Sequence, residues 1–433
     1  MVFLFTNMAT SFIEELRWRG MLQDMTPGVE EAMAKERITG YIGFDPTATS
    51  LHIGNMATII LLMHLQKAGH KPIALVGGAT GMIGDPSGKS AERNLLDEEA
   101  IGRNVAAIQK QLERFLDFSE GPTQAEVVNN LDWFGPMSAI QFLRKIGKHL
   151  TVNYMMAKDS VQRRLETGLS FTEFSYQLLQ GFDYQWLYEN KNCRLQMGGS
   201  DQWGNITAGT ELIRRMGGTV DAFAITTPLL TKADGSKFGK SEGGNVWLDA
   251  DLTSPYQFYQ YFLNAADEEA PILLRRMTFL SKETIEAEEA EHQKDPSLRR
   301  LQKTLAEEIT RLVHGEEGVL TARLTTEVLF GKGTLDELET ISDEQFNQVF
   351  AGVPTFETSA GNLTNDWATL LTTDTQNGIL PSKSEAKKMI QSGAISANKV
   401  KIMSVDQPMV PLLRGKYLLI QKGKKNYYLV KAG

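Results

Sequence analysis

The first half of this chain alternates short apolar runs with amphipathic helical segments, and that alternation limits the fold more than any other feature. Ile38 to Phe44 reads as a strand, and Asn55 to Lys67 as a helix ending at Gly69. Pro72 to Val76 reads as a second strand, running into Gly77-Gly78-Ala79-Thr80-Gly81. Ile101, Val105, Ile108, Leu112 and Phe115 share one face, which predicts a helix over 101–115. Glu126 to Asn129 is a third strand and Arg194 to Met197 a fourth, followed by Gly198-Gly199-Ser200-Asp201 and a helix over Trp203 to Met216. Strands joined through helices argue an α/β fold, a parallel sheet covered on both faces. Ligands of such sheets bind at the carboxyl ends of the strands, which here carry Asp45, Asp85, Asn130 and Asp201.

The pattern changes after Ser254. Strand signals fade, and charged helices such as Lys282 to Gln293 and Leu298 to His314 run on to about Phe350. Residues 351–377, rich in Thr, Gly and Asn, read as a linker. Beyond them Ser384 to Ser392 reads as a basic helix, and Val400 to Ile402, Tyr417 to Gln421 and Tyr427 to Val430 as short strands. Tyr417, Tyr427 and Tyr428 are expected in the core of this small domain. Ile379 to Gly433 holds eleven Lys or Arg against two Asp or Glu, a net of +9 in a chain of −8. A basic tail on an acidic body suits local nucleic-acid contact, and equally a solvated basic surface.

At 433 residues the chain has room for several domains. The strongly apolar stretch Ala57 to Leu65 is too short to span a bilayer, and no membrane helix is expected. Met1 to Phe5 lacks the basic start of a secretion signal, and Met8 is a second candidate start. Cys193 is the only cysteine, so no internal disulfide or Cys-based zinc cluster can form, and a cytoplasmic setting is expected.

Two runs point to phosphate chemistry. Leu51-His52-Ile53-Gly54-Asn55 places a His, a Gly and an amide where a loop becomes a helix, whose free N–H groups attract anions. Lys237-Phe238-Gly239-Lys240-Ser241 places two lysines on a loop flanked by glycines, suited to closing over a polyphosphate. Each alone is better read as a structural His before a helix or a solvated basic loop, and it is their co-occurrence with the material between them that favours phosphate handling.

The surrounding words are more specific. Tyr41-Ile42-Gly43-Phe44-Asp45-Pro46-Thr47-Ala48, Gly77 to Gly88, Asn153 to Ser160, Phe171 to Tyr176 and Gly198 to Asn205 resemble the bacterial tyrosyl-tRNA synthetases, of the class I aminoacyl-tRNA synthetases. The resemblance is strong from about Arg17 to Ile225, weaker through the helical region, and returns in the tail, which is similar to a small ribosomal-protein-like RNA-binding module. It implies a Rossmann-like catalytic domain over 1–230 with the dimer interface, a clamp loop and helical tRNA-binding domain over 231–350, and a small α+β RNA-binding domain over 378–433.

By that resemblance Tyr41 and Asp183 face the hydroxyl of a substrate tyrosine, while Asp85, Tyr176 and Gln180 hold its ammonium group and Gln202 lies near its carboxylate. Gly199 and Asp201 meet the ribose of ATP, with Asp45, His52, Gly54, Asn55 and Lys240 as further nucleotide contacts. Thr47, His52, Asn55, Lys237, Lys240 and Ser241 carry catalysis, helped by Lys89 and Arg93. Lys387, Lys388, Lys399, Lys401, Arg414 and Lys416 contact the phosphates of tRNA(Tyr). Mg²⁺ accompanies ATP, no protein-bound metal is expected, and the region from Trp133 to Phe171 resembles the homodimer interface of the family.

Each residue also has a plainer reading: Tyr176 and Gln180 as a helix-face pair, Asp85 before Pro86 as a turn residue, Asp183 as a surface carboxylate. Asn55 departs from the His most common in the family, and Ile42 stands where some members carry a small polar group. Two other functions stay open. A tryptophan-specific branch is opposed by the pairing of Tyr41 with Asp183. A catalytically inactive RNA-binding paralogue is opposed by intact His52, Asp201, Lys237 and Lys240.

Overall fold

The structure is a computed structural model that describes residues 11–87, 96–165, 168–231, 238–241, 244–330, 335–340, 342–350, 352–364, 366–376, 378–423 and 426–433. They fall into two compact units, one up to Leu252 with Asn264–Leu305, the other Thr253–Leu263 with Ala306–Gly433. Met8, Lys89, Arg93 and Lys237 lie outside the described residues.

The first unit is built on a six-stranded sheet: β1 (Asp24–Met25), β2 (Thr39–Phe44), β3 (Lys71–Val76), β4 (Glu126–Asn129), β5 (Cys193–Gly199) and β6 (Phe223–Thr227). The spatial order is β1-β6-β5-β2-β3-β4. All pairings are parallel except that of β1, which closes one edge antiparallel to β6. From β2 the chain winds outward through β3 and β4, then returns to the other side of β2 for β5 and β6. That reversal opens a crevice at the carboxyl ends of β2 and β5. The inner strands are buried almost throughout, as β3 with its Pro72-Ile73-Ala74-Leu75-Val76 run requires.

Helices α1 (Phe12–Arg19), α2 (Ile53–Lys67), α3 (Glu98–Leu112), α4 (Phe171–Lys191) and α5 (Trp203–Arg215) belong to this unit. Helices α4 and α5 approach closely because two glycines meet. A Cβ on Gly181 would lie 3.6 Å from the backbone of Gly209, and one on Gly209 would lie 2.9 Å from the Tyr184 ring.

The helical stretch expected as one domain is shared between the units. Helices α6 (Ala270–Met277) and α7 (Lys282–Lys294) belong to the first. Buried Arg19 holds them there, donating to the carbonyls of Arg275, Thr278 and Leu280 at 2.8 Å each. Helix α8 (Arg300–Phe330) breaks at Gly315, where φ is 72°. The Leu298 to His314 expectation ended at that break.

The expected linker is folded. In the second unit β9 (Thr355–Thr358) pairs parallel with β13 (Asn426–Ala432), beside β10 (Ile395–Ala397), β11 (Val400–Lys401) and β12 (Tyr417–Lys422), in the order β11-β10-β12-β13-β9. Trp367, Leu370 and Leu371 are fully buried in the core of this sheet domain. The Thr, Gly and Asn content of 351–377 masked those few large apolar side chains. Tyr417 is buried, whereas Tyr427 and Tyr428 are half-buried against the core. No helix among the described residues is long and apolar enough to cross a membrane.

Candidate functional site

A cavity of about 280 Å³ lies where the switch in strand order predicts it, lined among others by Tyr41, Asp45, Thr47, His52, Gly54, Asn55, Asp85, Tyr176, Gln180, Asp183, Gly199, Asp201 and Gln202. Helix α4 supplies three of these from one face. Ser170 caps its start by accepting from the Glu173 N–H, and Tyr176, Gln180 and Asp183 follow at intervals of four and three.

Asp183 is 2% exposed, so it is not a surface carboxylate. It accepts from Asn130 Nδ2 at 3.1 Å and Trp133 Nε1 at 2.9 Å. Burial nonetheless pushes its pKa up to about 8; these two donors lower it and the Asp45 charge adds to the rise. Tyr41, on β2, is equally buried, and burial together with the Asp183 charge holds its phenol well above the usual range. Its hydroxyl has no hydrogen-bond partner among the described residues. Leaving such a group unpaired costs about 1–3 kcal/mol, a penalty that a ligand hydroxyl removes.

A second polar group surrounds Asp45. Tyr176 donates to its Oδ2 at 2.7 Å and Thr80 to its Oδ1 at 2.8 Å, while Asn130 Nδ2 donates to Thr80. Gly77 makes the turn possible, because a Cβ there would stand 2.3 Å from both Asp45 and Thr80. Gln202 Nε2 donates to Asp85 Oδ2 at 2.7 Å, and buried Asn205 Nδ2 lies within reach of Asp85, Ser87, Gln180 and Gln202. Asp85, Gln180 and Gln202 are therefore joined in one network through Asn205, whereas Tyr176 is tied to Asp45. Gly199 carries no side chain because a Cβ would meet Asp201 Oδ1 at 2.8 Å.

The opposite wall is the start of α2. Gly54 is exposed at its first turn. His52 is the N-cap, and Asn55, third in the helix, reaches back to accept from the His52 N–H at 3.1 Å. The second motif lies directly against it: Ile53 N–H donates to Val246 O, Val246 N–H to Gly239 O, and a Cβ on Gly239 would stand 3.1 Å from Gly54 N. The backbones of Lys240 and Ser241 form β7 (Lys240–Ser241), paired with β8 (Gly244–Asn245).

In the second unit Lys387, Lys388, Lys399, Lys401 and Lys416 are exposed. Lys399 sits in a two-residue turn with Asn398, both at positive φ (45° and 61°), which projects it between β10 and β11. Arg414 is held instead, donating to Asp343 at 2.5 Å and lying 5.1 Å from the Phe346 ring. Sequence alone marked no site role for Thr80 or Asn205, and marked Trp133 only as the edge of the expected dimer interface. The signal was there in part, since Thr80 and Asn205 sit inside the motif words and Asn130 at a strand end.

The family model described as tRNA synthetases class I (W and Y) matches residues 33–331, and with the switch-point cavity it makes this chain a class I aminoacyl-tRNA synthetase. A second, described as the tyrosine–tRNA ligase SYY-like C-terminal domain, matches residues 345–430. The chain is 60% identical over 425 residues to the tyrosine–tRNA ligase of Cytophaga hutchinsonii and 55% over 427 to that of Bacteroides thetaiotaomicron, covering 97% of this chain and 99% of each relative. A C-terminally truncated mitochondrial tyrosyl-tRNA synthetase of Aspergillus nidulans superposes with a TM-score of 0.68 at 29% identity, covering 74% of this chain and 94% of that one. Within its class, the chain belongs to the tyrosyl-tRNA synthetase family.

Proposed function

We propose that the chain activates L-tyrosine with ATP to tyrosyl-adenylate and pyrophosphate, then transfers the tyrosyl group to the 3′ end of tRNA(Tyr). The buried pair of Asp183 and Tyr41 on the cavity wall carries this reading. A phenolic hydroxyl donates to Asp183 and accepts from Tyr41, whereas phenylalanine leaves the buried Tyr41 hydroxyl unpaired and brings Asp183 no donor. Asp85, Tyr176 and Gln180 offer acceptors for the ammonium group, and Asp201 with Gly199 a place for the ribose.

The chemistry needs no general base. The tyrosine carboxylate is already ionised; one of its oxygens bonds to the α-phosphorus while the bond to the bridging oxygen breaks, and pyrophosphate leaves with that electron pair. Catalysis is positioning and charge stabilisation. Thr47, His52, Asn55 and the first N–H groups of α2 face the departing phosphates, and Lys237, Lys240 and Ser241, with Lys89 and Arg93, add charge and donors. Among the described residues no group of three or more His, Cys, Asp or Glu is placed to hold a metal. Mg²⁺ enters as the counter-ion of ATP, held by phosphate oxygens and water. A terminal ribose hydroxyl of tRNA then attacks the tyrosyl carbonyl and AMP leaves.

The exposed tail lysines suit tRNA phosphates. Ile140, Leu143, Val152 and Phe171, 51–77% exposed, suit a homodimer interface within Trp133–Phe171. The setting is the cytoplasm.

Amino-acid-dependent ATP–pyrophosphate exchange across the twenty amino acids tests the reading. Exchange with tyrosine alone is expected. Exchange with tryptophan in its place selects the sister branch, and none at all leaves only an RNA-binding protein.

A further inference from the structure

Between β2 and α2 the chain runs through Pro46-Thr47-Ala48-Thr49-Ser50-Leu51 with no regular secondary structure. This segment presents Thr47 and leads into His52, so its backbone must be fixed by something else. Two buried amides of α3 reach it. Asn104, 6% exposed, donates through Nδ2 to the Pro46 carbonyl at 2.9 Å. Gln111, 8% exposed, accepts from the Leu51 N–H at 2.8 Å and donates to Ser50 Oγ at 2.9 Å.

The spacing is what makes the pair act together. Asn104 and Gln111 are seven residues apart, two turns of one helix face and about 10 Å along the axis. Ile108, between them on that helix, lines the cavity. Ser50 in turn donates to the Leu51 carbonyl and accepts from the Asp249 N–H, while Leu248 N–H donates to Leu51 O. Gln111 therefore fixes the junction at which the segment before His52 meets the segment after the clamp motif.

We propose that Asn104 and Gln111 are positioning residues for adenylate formation: α3 acts as a splint that holds both ends of 46–51 so that Thr47 and His52 face the polyphosphate. The inference rests on the activation reading above. It predicts a division of effects. Tyrosine is held by Tyr41, Asp85, Tyr176, Gln180 and Asp183, none of which the two amides touch. Loss of the splint therefore slows the chemical step and spares tyrosine affinity.

The experiment compares the full-length wild type with N104L, Q111M and Q111E, similar in volume to the residues they replace. Tyrosine dissociation constants are measured by equilibrium dialysis without ATP, kcat by ATP–pyrophosphate exchange, and folding by thermal melts. N104L and Q111M are expected to lose roughly 10- to 100-fold in kcat, the scale on which a displacement of about 1 Å acts. Tyrosine affinity should stay within about twofold. Q111E keeps an acceptor for the Leu51 N–H and should retain more activity than Q111M. Wild-type kcat in N104L and Q111M, each folded at the assay temperature, overturns the splint and leaves the activation reading intact. So does an equal loss of kcat and tyrosine affinity, which marks a general structural role. A Q111M protein that does not fold leaves N104L and Q111E to decide. Wild-type protein without tyrosine-dependent exchange overturns both proposals.

Discussion

Gly239 rests directly on Gly54, the two signature runs of the sequence meeting glycine to glycine. The approach works because Gly239 has no side chain, a Cβ there standing 3.1 Å from Gly54 N, and because its φ of 92° favours glycine. Gly239→Ala should push the clamp loop away from the start of α2. The expected result is at least a tenfold fall in exchange kcat with tyrosine affinity unchanged; a normal kcat would show that the contact is incidental to catalysis.

Tyr41→Phe separates stability from recognition. The native hydroxyl is buried without a protein partner, so its removal should leave the ligand-free protein as stable or raise its melting temperature. Tyrosine should bind about tenfold more weakly, on the scale of one lost hydrogen bond of about 1–1.5 kcal/mol, and phenylalanine should be rejected less well. A destabilised protein with normal tyrosine affinity would contradict both halves.

Asp183 gives a pH signature with a definite sign. Its folded pKa, about 8, lies above that of a free carboxyl, so the folded state binds the extra proton. This contribution to stability is full below about pH 4 and is lost as pH rises toward 8. The stability difference between wild type and Asp183→Asn should therefore move against the wild type across that window. Denaturant unfolding at pH 5, 6.5 and 8 measures it, and a difference independent of pH would refute the shift.

In the tail, Lys399→Ala with Lys401→Ala should raise KM for tRNA and flatten its salt dependence by up to about two units of slope. Tyrosine-dependent exchange should not change. Deleting only Ile379–Gly433 should leave Trp367 stripped of its core and the remainder prone to aggregate, because β9 and Trp367, upstream of the cut, belong to the same sheet domain. A truncation before Thr355 removes the whole sheet but bares Leu338, Phe346, Val349 and Phe350, which pack on Tyr417, Leu419 and Leu429; unchanged charging after it would remove the RNA role of the tail.

Phe171→Glu with Ile140→Glu should convert a dimer to a monomer in sedimentation equilibrium. These side chains, 77% and 66% exposed, carry no load within the described chain, so folding should survive. A wild type that sediments as a monomer would remove the interface.

Much of the first unit was legible because buried parallel strands announce themselves. Lys71–Val76 and Glu126–Asn129 fall within a residue of their apolar runs. The long helix Phe171–Lys191 was visible only as the pair Tyr176 and Gln180, since aromatic and polar residues on its faces dilute the apolar period. The linker error has the same origin: a few large side chains, Trp367 chief among them, outweigh the flexible composition around them. What sequence cannot show is which amide reaches which acceptor. Asn104 and Pro46 are 58 positions apart, and Asn130 and Asp183 are 53.

The strand order sets a timetable. Cys193–Gly199 pairs with Thr39–Phe44, so the free edge of β2 stays unpaired while about 150 more residues are made. At ribosomal speeds that is on the order of 10–30 s, long for an apolar edge without its neighbour. A nascent chain of this protein should be most vulnerable to aggregation, and most in need of a chaperone, in that interval before the central strand emerges.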